Sequence, residues 1–368
     1  MLNRERGTHL PEVHRQTVPP RPEALNRTPV TLRMPTMRYA CRNGYAKALQ
    51  CAARLLAVLA CIVLLGPPLR AADTIVLKPA KVSKHGYFFQ GEAGMASSQN
   101  KGFMSNAGFV VTNGGVVVFD ALGTPALGRA MIAAIRKITQ QPIKRVVVSH
   151  YHADHIYGLQ EFKAIGAEIW AHRKGQIYST SGQAHERLVQ RRTDLFPWVD
   201  EHTQVIPADL WIDGDTSFRM GGITFRIVYA EGAHSPEDVL LFVEGDRLLF
   251  AGDLVFAGRV PFVGNADSDG WLRAMGKMIA LRPQVAVPGH GPLSRDVARD
   301  LALTRDYLAY LRESMGRAVR DLQSFDDAYA QTDWSRFAHL PAFAEANRIN
   351  AYGTFLVMEQ EALRTTKK

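Results

Sequence analysis

The stretch VVVSHYHADH, residues 146–155, places three histidines and one aspartate within six residues, directly after a run of valines. Such a run predicts a short buried strand, so the polar groups begin where that strand ends. Crowding titratable groups together is costly, because like groups and burial both disfavour their charged forms. A divalent cation reverses that cost, since neutral imidazoles and carboxylates become its lone-pair donors. The stretch therefore predicts a metal site at a strand end.

The spacing within this stretch favours two cations over one. His150 and His152 are two positions apart, so both imidazoles can project to one side of an extended chain. Asp154 and His155 follow where the chain turns, and their side chains can point elsewhere. This geometry suits two histidines on a first cation and an aspartate with a histidine on a second.

Residues 1–72 have the composition of an N-terminal leader. Basic residues precede the unbroken apolar run 55–66, two prolines end the run, and small residues follow at Ala71 and Ala72. This order predicts a signal peptide with its apolar region at 55–66, and twelve residues are too few to span a bilayer comfortably. We expect a periplasmic or secreted protein with no stable membrane anchor after cleavage, and one catalytic domain with a helical C-terminal extension over residues 73–368.

The leader also accounts for the charge and the cysteines. Most of the formal net charge of +9 lies in it, so the remaining chain is nearly neutral and no nucleic-acid partner is expected. All three cysteines are there as well, at Cys41, Cys51 and Cys61. The mature chain therefore offers no thiolate, and its metal site must be built from histidines and carboxylates.

The remaining chain has an α/β pattern. Two apolar runs flank Asn113-Gly114-Gly115, which predicts a hairpin. Apolar residues at helical spacing predict a helix from Pro125 to about Thr139. Further apolar runs predict strands near 143–149, 168–172, 224–231, 239–253 and 284–290, and residues 294–322 and 341–363 are predicted to be helical. We expect helices covering the faces of two sheets.

The segment HYHADH resembles the signature of the metallo-β-lactamase superfamily, whose fold is an αββα sandwich of two mixed β-sheets flanked by helices. Four more segments resemble the other motifs of that family and occur in the same order. They are the strand ending in Asp120, EGAHSPEDVLLFV with His234, LLFAGDLVF with Asp253, and AVPGHGP with His290.

The resemblance implies a dinuclear metal centre and assigns its ligands. The implied first-metal ligands are His150, His152 and His234, the implied second-metal ligands are Asp154, His155 and His290, and Asp253 lies between the two metals. Asp120 is implied to support the metal-binding loop without binding metal. A shell without thiolate fits two zinc ions, with iron or manganese as alternatives.

The implied function is hydrolysis of a small-molecule substrate. A bridging hydroxide would attack the carbonyl of an ester, thioester or amide. Asp154 would be the catalytic residue, orienting that hydroxide and passing a proton to the leaving group. Phe256, Arg259 and Phe262 follow Asp253 closely and are expected to line the pocket, where Arg259 suits a substrate carboxylate or phosphate.

Two alternatives remain open. The second-metal set resembles that of subclass B3 β-lactamases, although those enzymes typically lack an aspartate at the position of Asp253. The segments 251–275 and 345–363 resemble exported metallohydrolases linked to quinoprotein dehydrogenases and sulfur oxidation. The chain could therefore be an exported metal-binding accessory protein with a redox-system partner. His172, which ends a predicted strand, is expected to be an ordinary strand-end residue.

Overall fold

A computed structural model describes residues 75–264 and 266–365. The predicted leader, residues 1–72, lies outside the described residues, so the signal peptide and the domain boundary near residue 72 stay predictions. Within the described ranges, no helix has both the length and the apolar character needed to cross a membrane.

Seven strands form the first sheet, in the order in which they occur along the chain. The pairs β1–β2, β2–β3 and β3–β4 are antiparallel, whereas β4–β5, β5–β6 and β6–β7 are parallel. Their bounds are β1 Ala80–Lys81, β2 Gly86–Phe89, β3 Ala107–Thr112, β4 Gly115–Phe119, β5 Ile143–Val147, β6 Glu168–His172 and β7 Leu210–Ile212.

Five strands form the second sheet, in the order β12-β11-β10-β9-β8. Only β11 and β12 are parallel, and the other neighbours are antiparallel. Their bounds are β8 Thr216–Met220, β9 Ile223–Tyr229, β10 Val239–Val243, β11 Leu248–Phe256 and β12 Val285–His290.

Nine helices are assigned within the described residues. Helix α1 begins at Pro125, and the Thr124 hydroxyl caps it by accepting from the amide of Leu127. The bounds are α1 Pro125–Ile138, α2 Ala153–Ile156, α3 Leu159–Ala164, α4 Lys174–Ser179, α5 Gly182–Asp194, α6 Ser268–Ala280, α7 Val297–Arg320, α8 Phe325–Gln331 and α9 Phe343–Thr365.

Three apolar layers hold the elements together. Between the sheets, buried side chains of both meet, and the rings of Phe119 and Phe250 stack 5.5 Å apart. The buried face of α1 packs on the outside of the first sheet, while α6, α7 and α9 cover the second. The predicted αββα sandwich of two mixed sheets is therefore confirmed.

The hairpin and the helix predicted at Pro125 are also present, within one or two residues of their expected bounds. Strands β1, β2, β7 and β8 were not predicted from the sequence. Strand β1 has two residues, both exposed, and the alternation in β8 leaves no residue fully buried. The edge strands β1, β7 and β8 lack the continuous apolar run by which the central strands are recognised. Strand β2 lies inside the sheet and is mostly buried, but it has only four residues.

Candidate metal centre

Strand ends from both sheets meet at one edge of the sandwich. Strand β5 leads through Ser149 into the histidine-rich stretch, and the amide of Val239, at the start of β10, donates to the Ser149 carbonyl at 3.0 Å. Because β11 and β12 are parallel, Asp253 and His290 reach the same edge. The turn after β9 adds His234.

The residues form two groups, each with possible ligand atoms within 4.8 Å of one another. The first contains His150, His152, His234 and Asp253, and the second contains Asp154, His155 and His290. In the first, His152 Nδ1 lies 2.9 Å from His234 Nε2. In the second, Asp154 Oδ2 lies 3.4 Å from His155 Nε2 and 3.3 Å from His290 Nε2. All seven residues named from the sequence are thus brought together.

Asp253 faces both groups with different oxygens. Its Oδ1 lies 3.1 Å from His155 Nε2 and 3.3 Å from His290 Nε2. Its Oδ2 lies 3.4 Å from His234 Nε2 and 3.9 Å from His150 Nε2. Burial raises the pKa of Asp253, but His290 and His155 outweigh it and hold that pKa well below the ordinary value. A carboxylate with one oxygen towards each group is suited to bridge two cations.

Several buried atoms at this centre lack a hydrogen-bond partner within the described part of the chain. They include His150 Nε2, His155 Nε2 and Asp253 Oδ1. A buried polar atom without a partner is costly, and nitrogen and carboxylate lone pairs converging on one point are what a divalent cation needs. The residues therefore fit two metal ions with nitrogen and oxygen ligands.

Acceptors behind the histidines fix which ring nitrogen faces the centre. The acceptors are Ser149 Oγ at 2.9 Å from His150 Nδ1, Asp120 Oδ2 at 2.9 Å from His155 Nδ1, Phe262 O at 3.0 Å from His234 Nδ1, and Met104 O at 2.9 Å from His290 Nδ1. A proton held on Nδ1 leaves the Nε2 lone pair for a metal. His152 is the exception, because its Nδ1 faces the other histidines.

Asp120 belongs to neither group. Its Oδ1 accepts from the amide of Ser149 at 2.7 Å, and its Oδ2 accepts from the Ser149 hydroxyl at 2.8 Å. Burial raises the pKa of Asp120, opposed by His155 and by these hydrogen bonds. The side chain thus supports the loop that carries the histidines, as the resemblance implied.

The three residues expected to contact substrate differ in access. Phe256 is buried, and its ring stacks on His290 with centroids 4.9 Å apart. Arg259 is 4% exposed and donates from Nη1 to the Gly94 carbonyl at 3.0 Å. Phe262 is 38% exposed. Phe262 is therefore the most accessible, while Phe256 packs against a candidate ligand.

Some contributors to the centre were not found from the sequence. The carbonyls of Met104 and Phe262 are backbone groups, so the residue type at these positions does not indicate their role. Asp238 accepts from the amide of Ser235 at 2.6 Å and from its hydroxyl at 2.8 Å, which fixes the turn after His234. His172 belongs to neither metal group, and its ring stacks on Tyr229 at 3.8 Å.

Residues 100–290 match the model of the metallo-beta-lactamase superfamily. A linear primary-alkylsulfatase of Pseudomonas sp. (strain ATCC 19151) is 25% identical over 241 residues, which cover 55% of this chain and 45% of that protein. A type 2 metallo-beta-lactamase of Elizabethkingia meningoseptica is 25% identical over 193 residues, which cover 51% of this chain and 69% of that protein. The match therefore spans less than half of the alkylsulfatase.

Among solved structures, the sec-alkylsulfatase Pisa1 of Pseudomonas sp. superposes with a TM-score of 0.57 and 16% identity. The match covers 76% of this chain and 50% of the alkylsulfatase. At this identity the similarity is one of fold.

Proposed function

The chain belongs to the metallo-beta-lactamase superfamily of hydrolases, and on that premise we propose that it hydrolyses a small-molecule substrate with a dinuclear metal centre. His150, His152 and His234 would hold one cation, Asp154, His155 and His290 the other, and Asp253 would bridge them. The observation that carries this proposal is the position of Asp253, whose two oxygens face the two groups separately. Zinc is the expected metal, with iron and manganese as alternatives.

Bound divalent cations supply a nucleophile at neutral pH by lowering the pKa of water, and they stabilise charge that develops on a substrate oxygen. The side chains of the protein orient the ligands and limit access of water. The acceptors behind four histidines orient their rings before substrate arrives. Packed aromatic side chains such as Phe256 and Trp271, which lie close to His234, exclude bulk water from one side of the centre.

Asp154 is the proposed catalytic residue. Its side chain is 17% exposed, against 5% for Asp253 and 1% for Asp120. Burial raises the pKa of Asp154, but His155 and His290 lower it well below the ordinary value, so the group is a carboxylate at neutral pH. A partly exposed carboxylate can accept a proton and pass it to a leaving group.

The proposed substrate class is a carbonyl ester, thioester or amide, and a β-lactam belongs to the last. A sulfate ester is a second candidate, because two relatives are named alkylsulfatases and Arg259 offers a cation near the centre. Among the described residues Arg259 has no carboxylate partner within ion-pair distance, and its Nε has no hydrogen-bond partner. Burial lowers the pKa of Arg259, while Asp253 and Asp154 act in the opposite direction. A guanidinium suits the oxygens of a sulfate or carboxylate.

A substrate panel tests the proposal. Purified protein loaded with zinc, iron or manganese would be assayed on a chromogenic ester, a thioester, a cephalosporin and a linear alkyl sulfate, each with and without chelator. Turnover of a carbonyl substrate that chelation abolishes supports the first class, and turnover of the alkyl sulfate alone supports the second. Two bound metals without turnover of any member would favour the accessory-protein alternative.

Arg259→Met tests the anion-binding role. The variant is expected to raise KM for a substrate with a carboxylate or sulfate and to leave KM unchanged for its neutral analogue, because only the charged group uses the guanidinium. Arg273→Met is the matched control, since Arg273 is an exposed arginine of α6 paired with Asp269. Equal effects on the charged and the neutral substrate would contradict the role.

Export and a redox-system partner are also proposals. The signal-peptide pattern of residues 1–72 supports export, and the resemblance of segments 251–275 and 345–363 to exported metallohydrolases linked to quinoprotein dehydrogenases supports the partner. N-terminal sequencing of the protein from a periplasmic extract tests export, and a start well before Ala71 would contradict it. Co-purification of a quinoprotein dehydrogenase with the exported chain tests the partner, and recovery of the chain alone would contradict it.

A further inference from the structure

The C-terminal helix α9 contributes a buried amide, Asn350, to the neighbourhood of the centre. Its side chain has no exposed surface, and it lies sixty residues beyond the end of the segment that matches the superfamily. Helix α9 packs beside α7 over the second sheet. Asn350 thus belongs to a part of the chain that the shared motifs do not describe.

All four hydrogen-bonding positions of the Asn350 amide are used. Its oxygen accepts from the amides of Val263 at 2.8 Å and Gly264 at 3.2 Å. Its nitrogen donates to the Pro261 carbonyl at 2.7 Å and to the Tyr307 hydroxyl at 3.0 Å. An asparagine side chain offers two donors and an acceptor oxygen with two lone pairs, so this one is saturated.

These bonds enclose a single residue. Asn350 holds the carbonyl of Pro261 on one side of Phe262 and the amide of Val263 on the other. The carbonyl of Phe262 is the group that faces His234 Nδ1 at 3.0 Å. The loop 260–264 is tied to the C-terminal region a second time, because the amide of Val260 donates to the Pro341 carbonyl at 3.1 Å.

The loop backbone fixes the orientation of the Asn350 amide, because the Pro261 carbonyl can only accept and the amides of Val263 and Gly264 can only donate. The Tyr307 hydroxyl agrees with this orientation, since it donates its proton to Asn347 Oδ1 at 2.8 Å and accepts from Asn350 Nδ2. The oxygen of Asn350 therefore points to the loop amides, and the nitrogen points to the Pro261 carbonyl. A side chain without both a donor and an acceptor cannot hold both edges of Phe262.

We propose that Asn350 is a positioning residue for the metal centre: it fixes the Phe262 carbonyl, and that carbonyl keeps the His234 proton on Nδ1 and the Nε2 lone pair directed to the first group. The proposal rests on the proposed metal-dependent function. It gives the C-terminal helix a role in the centre, beyond covering the second sheet.

Asn347 provides a matched control. It lies on the same helix, is equally buried, and bonds to the Tyr307 and Tyr329 hydroxyls. No hydrogen bond from Asn347 to the loop 260–264 is present among the described residues. Replacing either asparagine disturbs the buried polar network, but only Asn350 reaches the loop.

The experiment compares Asn350→Leu with Asn347→Leu in the full chain. Titration with Co²⁺ against a competing chelator measures the Co²⁺ affinity of each of the two proposed metal sites. ¹⁵N NMR of the metal-free protein shows which ring nitrogen of His234 carries the proton. Asn350→Leu is expected to lose about 10- to 100-fold in affinity at one of the two sites and to lose the Nδ1–H signal of a single tautomer. Asn347→Leu is expected to keep the wild-type Co²⁺ affinities and the Nδ1–H signal of His234.

Wild-type Co²⁺ affinity at both sites in Asn350→Leu would overturn the proposal, and so would equal losses in both variants. If Asn350→Leu does not fold, Asn350→Asp takes its place, since aspartate can accept from the loop amides but cannot donate to the Pro261 carbonyl. Wild-type affinity in that variant would likewise overturn it. A wild-type protein that binds no Co²⁺ would instead refute the proposed function, while the NMR measurement would still test the tautomer.

Discussion

Asp120 Oδ2 and His155 Nδ1 lie 2.9 Å apart, and both side chains are buried. The same carboxylate accepts from the amide and the hydroxyl of Ser149. One side chain at the end of β4 thus fixes the start of the histidine-rich loop and the ring of a candidate ligand. The positions of the candidate ligand side chains therefore depend on supporting contacts of this kind.

Asp120→Asn tests that support. The amide cannot replace both carboxylate oxygens, and its NH₂ group would meet either the Ser149 amide or His155 Nδ1–H. We expect about 10- to 100-fold weaker binding of one metal ion, measured by titration against a chelator. Asp246→Asn, which removes a half-buried carboxylate in the turn between β10 and β11, is the control. Two metals bound at wild-type affinity in Asp120→Asn would contradict the prediction.

Asp154→Asn separates catalysis from metal binding. The substitution keeps the shape of the side chain but removes its capacity to take up a proton. We expect turnover to fall by about 10²- to 10⁴-fold, while the group of His150, His152 and His234 still binds its cation. Elemental analysis and kcat on the best panel substrate measure the two effects. Near-normal turnover would refute the role of Asp154.

Asp253→Ala tests the bridge. Because the two oxygens of Asp253 face different groups, its removal is expected to weaken the binding of both cations. Asp154→Asn is expected to weaken the binding of the second cation only. Stepwise titration with Zn²⁺ would record the two affinities in each variant. Loss of a single cation in Asp253→Ala, with the other unchanged, would show that Asp253 serves one group.

Gly158, which follows the histidine-rich stretch, packs closely against the backbone of Ala121. A Cβ added there would lie 1.9 Å from the Ala121 carbonyl oxygen, although the Gly158 backbone, at φ −78°, is open to any residue. Gly158→Ala is expected to cost about 1–3 kcal/mol of unfolding free energy through overpacking, measured by urea denaturation.

Gly276→Ala is the matched control for Gly158. A Cβ at Gly276, inside helix α6, would meet nothing within 4 Å. Removing a glycine from a helix interior is expected to stabilise the chain by about 0.5–1 kcal/mol. Opposite signs for the two substitutions support the packing argument, and destabilisation of similar size in both would contradict it.

Asp246 gives a prediction of pH dependence away from the centre. Burial raises the pKa of Asp246, but hydrogen bonds from Ser83 and His85 outweigh it and lower that pKa below the ordinary value. Its stabilising effect is therefore present above the unfolded-state pKa of about 3.9 and lost as pH falls through the folded-state value. Asp246→Asn is expected to be less stable than wild type at neutral pH, with the difference closing in acid.

Urea unfolding of Asp246→Asn and wild type at neutral and acidic pH checks this dependence. Glu359→Gln, which alters an exposed carboxylate of α9, is the control. A stability difference that stays constant down to acidic pH would mean that the Asp246 charge is not what stabilises the fold.

The sequence by itself determined the central architecture and the candidate ligands. Continuous valine and leucine runs predict buried strands because both faces are covered, and each of the motif residues follows such a run. The Asn113-Gly114 turn and Pro125 are local signals that act over a few residues. These signals were enough to predict the hairpin, the helix after it and a metal site at the HYHADH stretch. The resemblance to the metallo-β-lactamase superfamily then added His234, Asp253 and His290 to the candidate ligands.

Only the tertiary structure decided how those residues are supported. The carbonyls of Met104 and Phe262 orient His290 and His234. Because every residue has a carbonyl, the sequence cannot show which carbonyls do this. The contact of Arg259 with substrate stays a prediction, and its hydrogen bond to the Gly94 carbonyl depends on a loop far away in the chain. Asn350 reaches the loop 260–264 across nearly ninety residues. Sequence patterns record what each segment buries, whereas the partners of a hydrogen bond between distant segments are fixed when the sheets and helices pack.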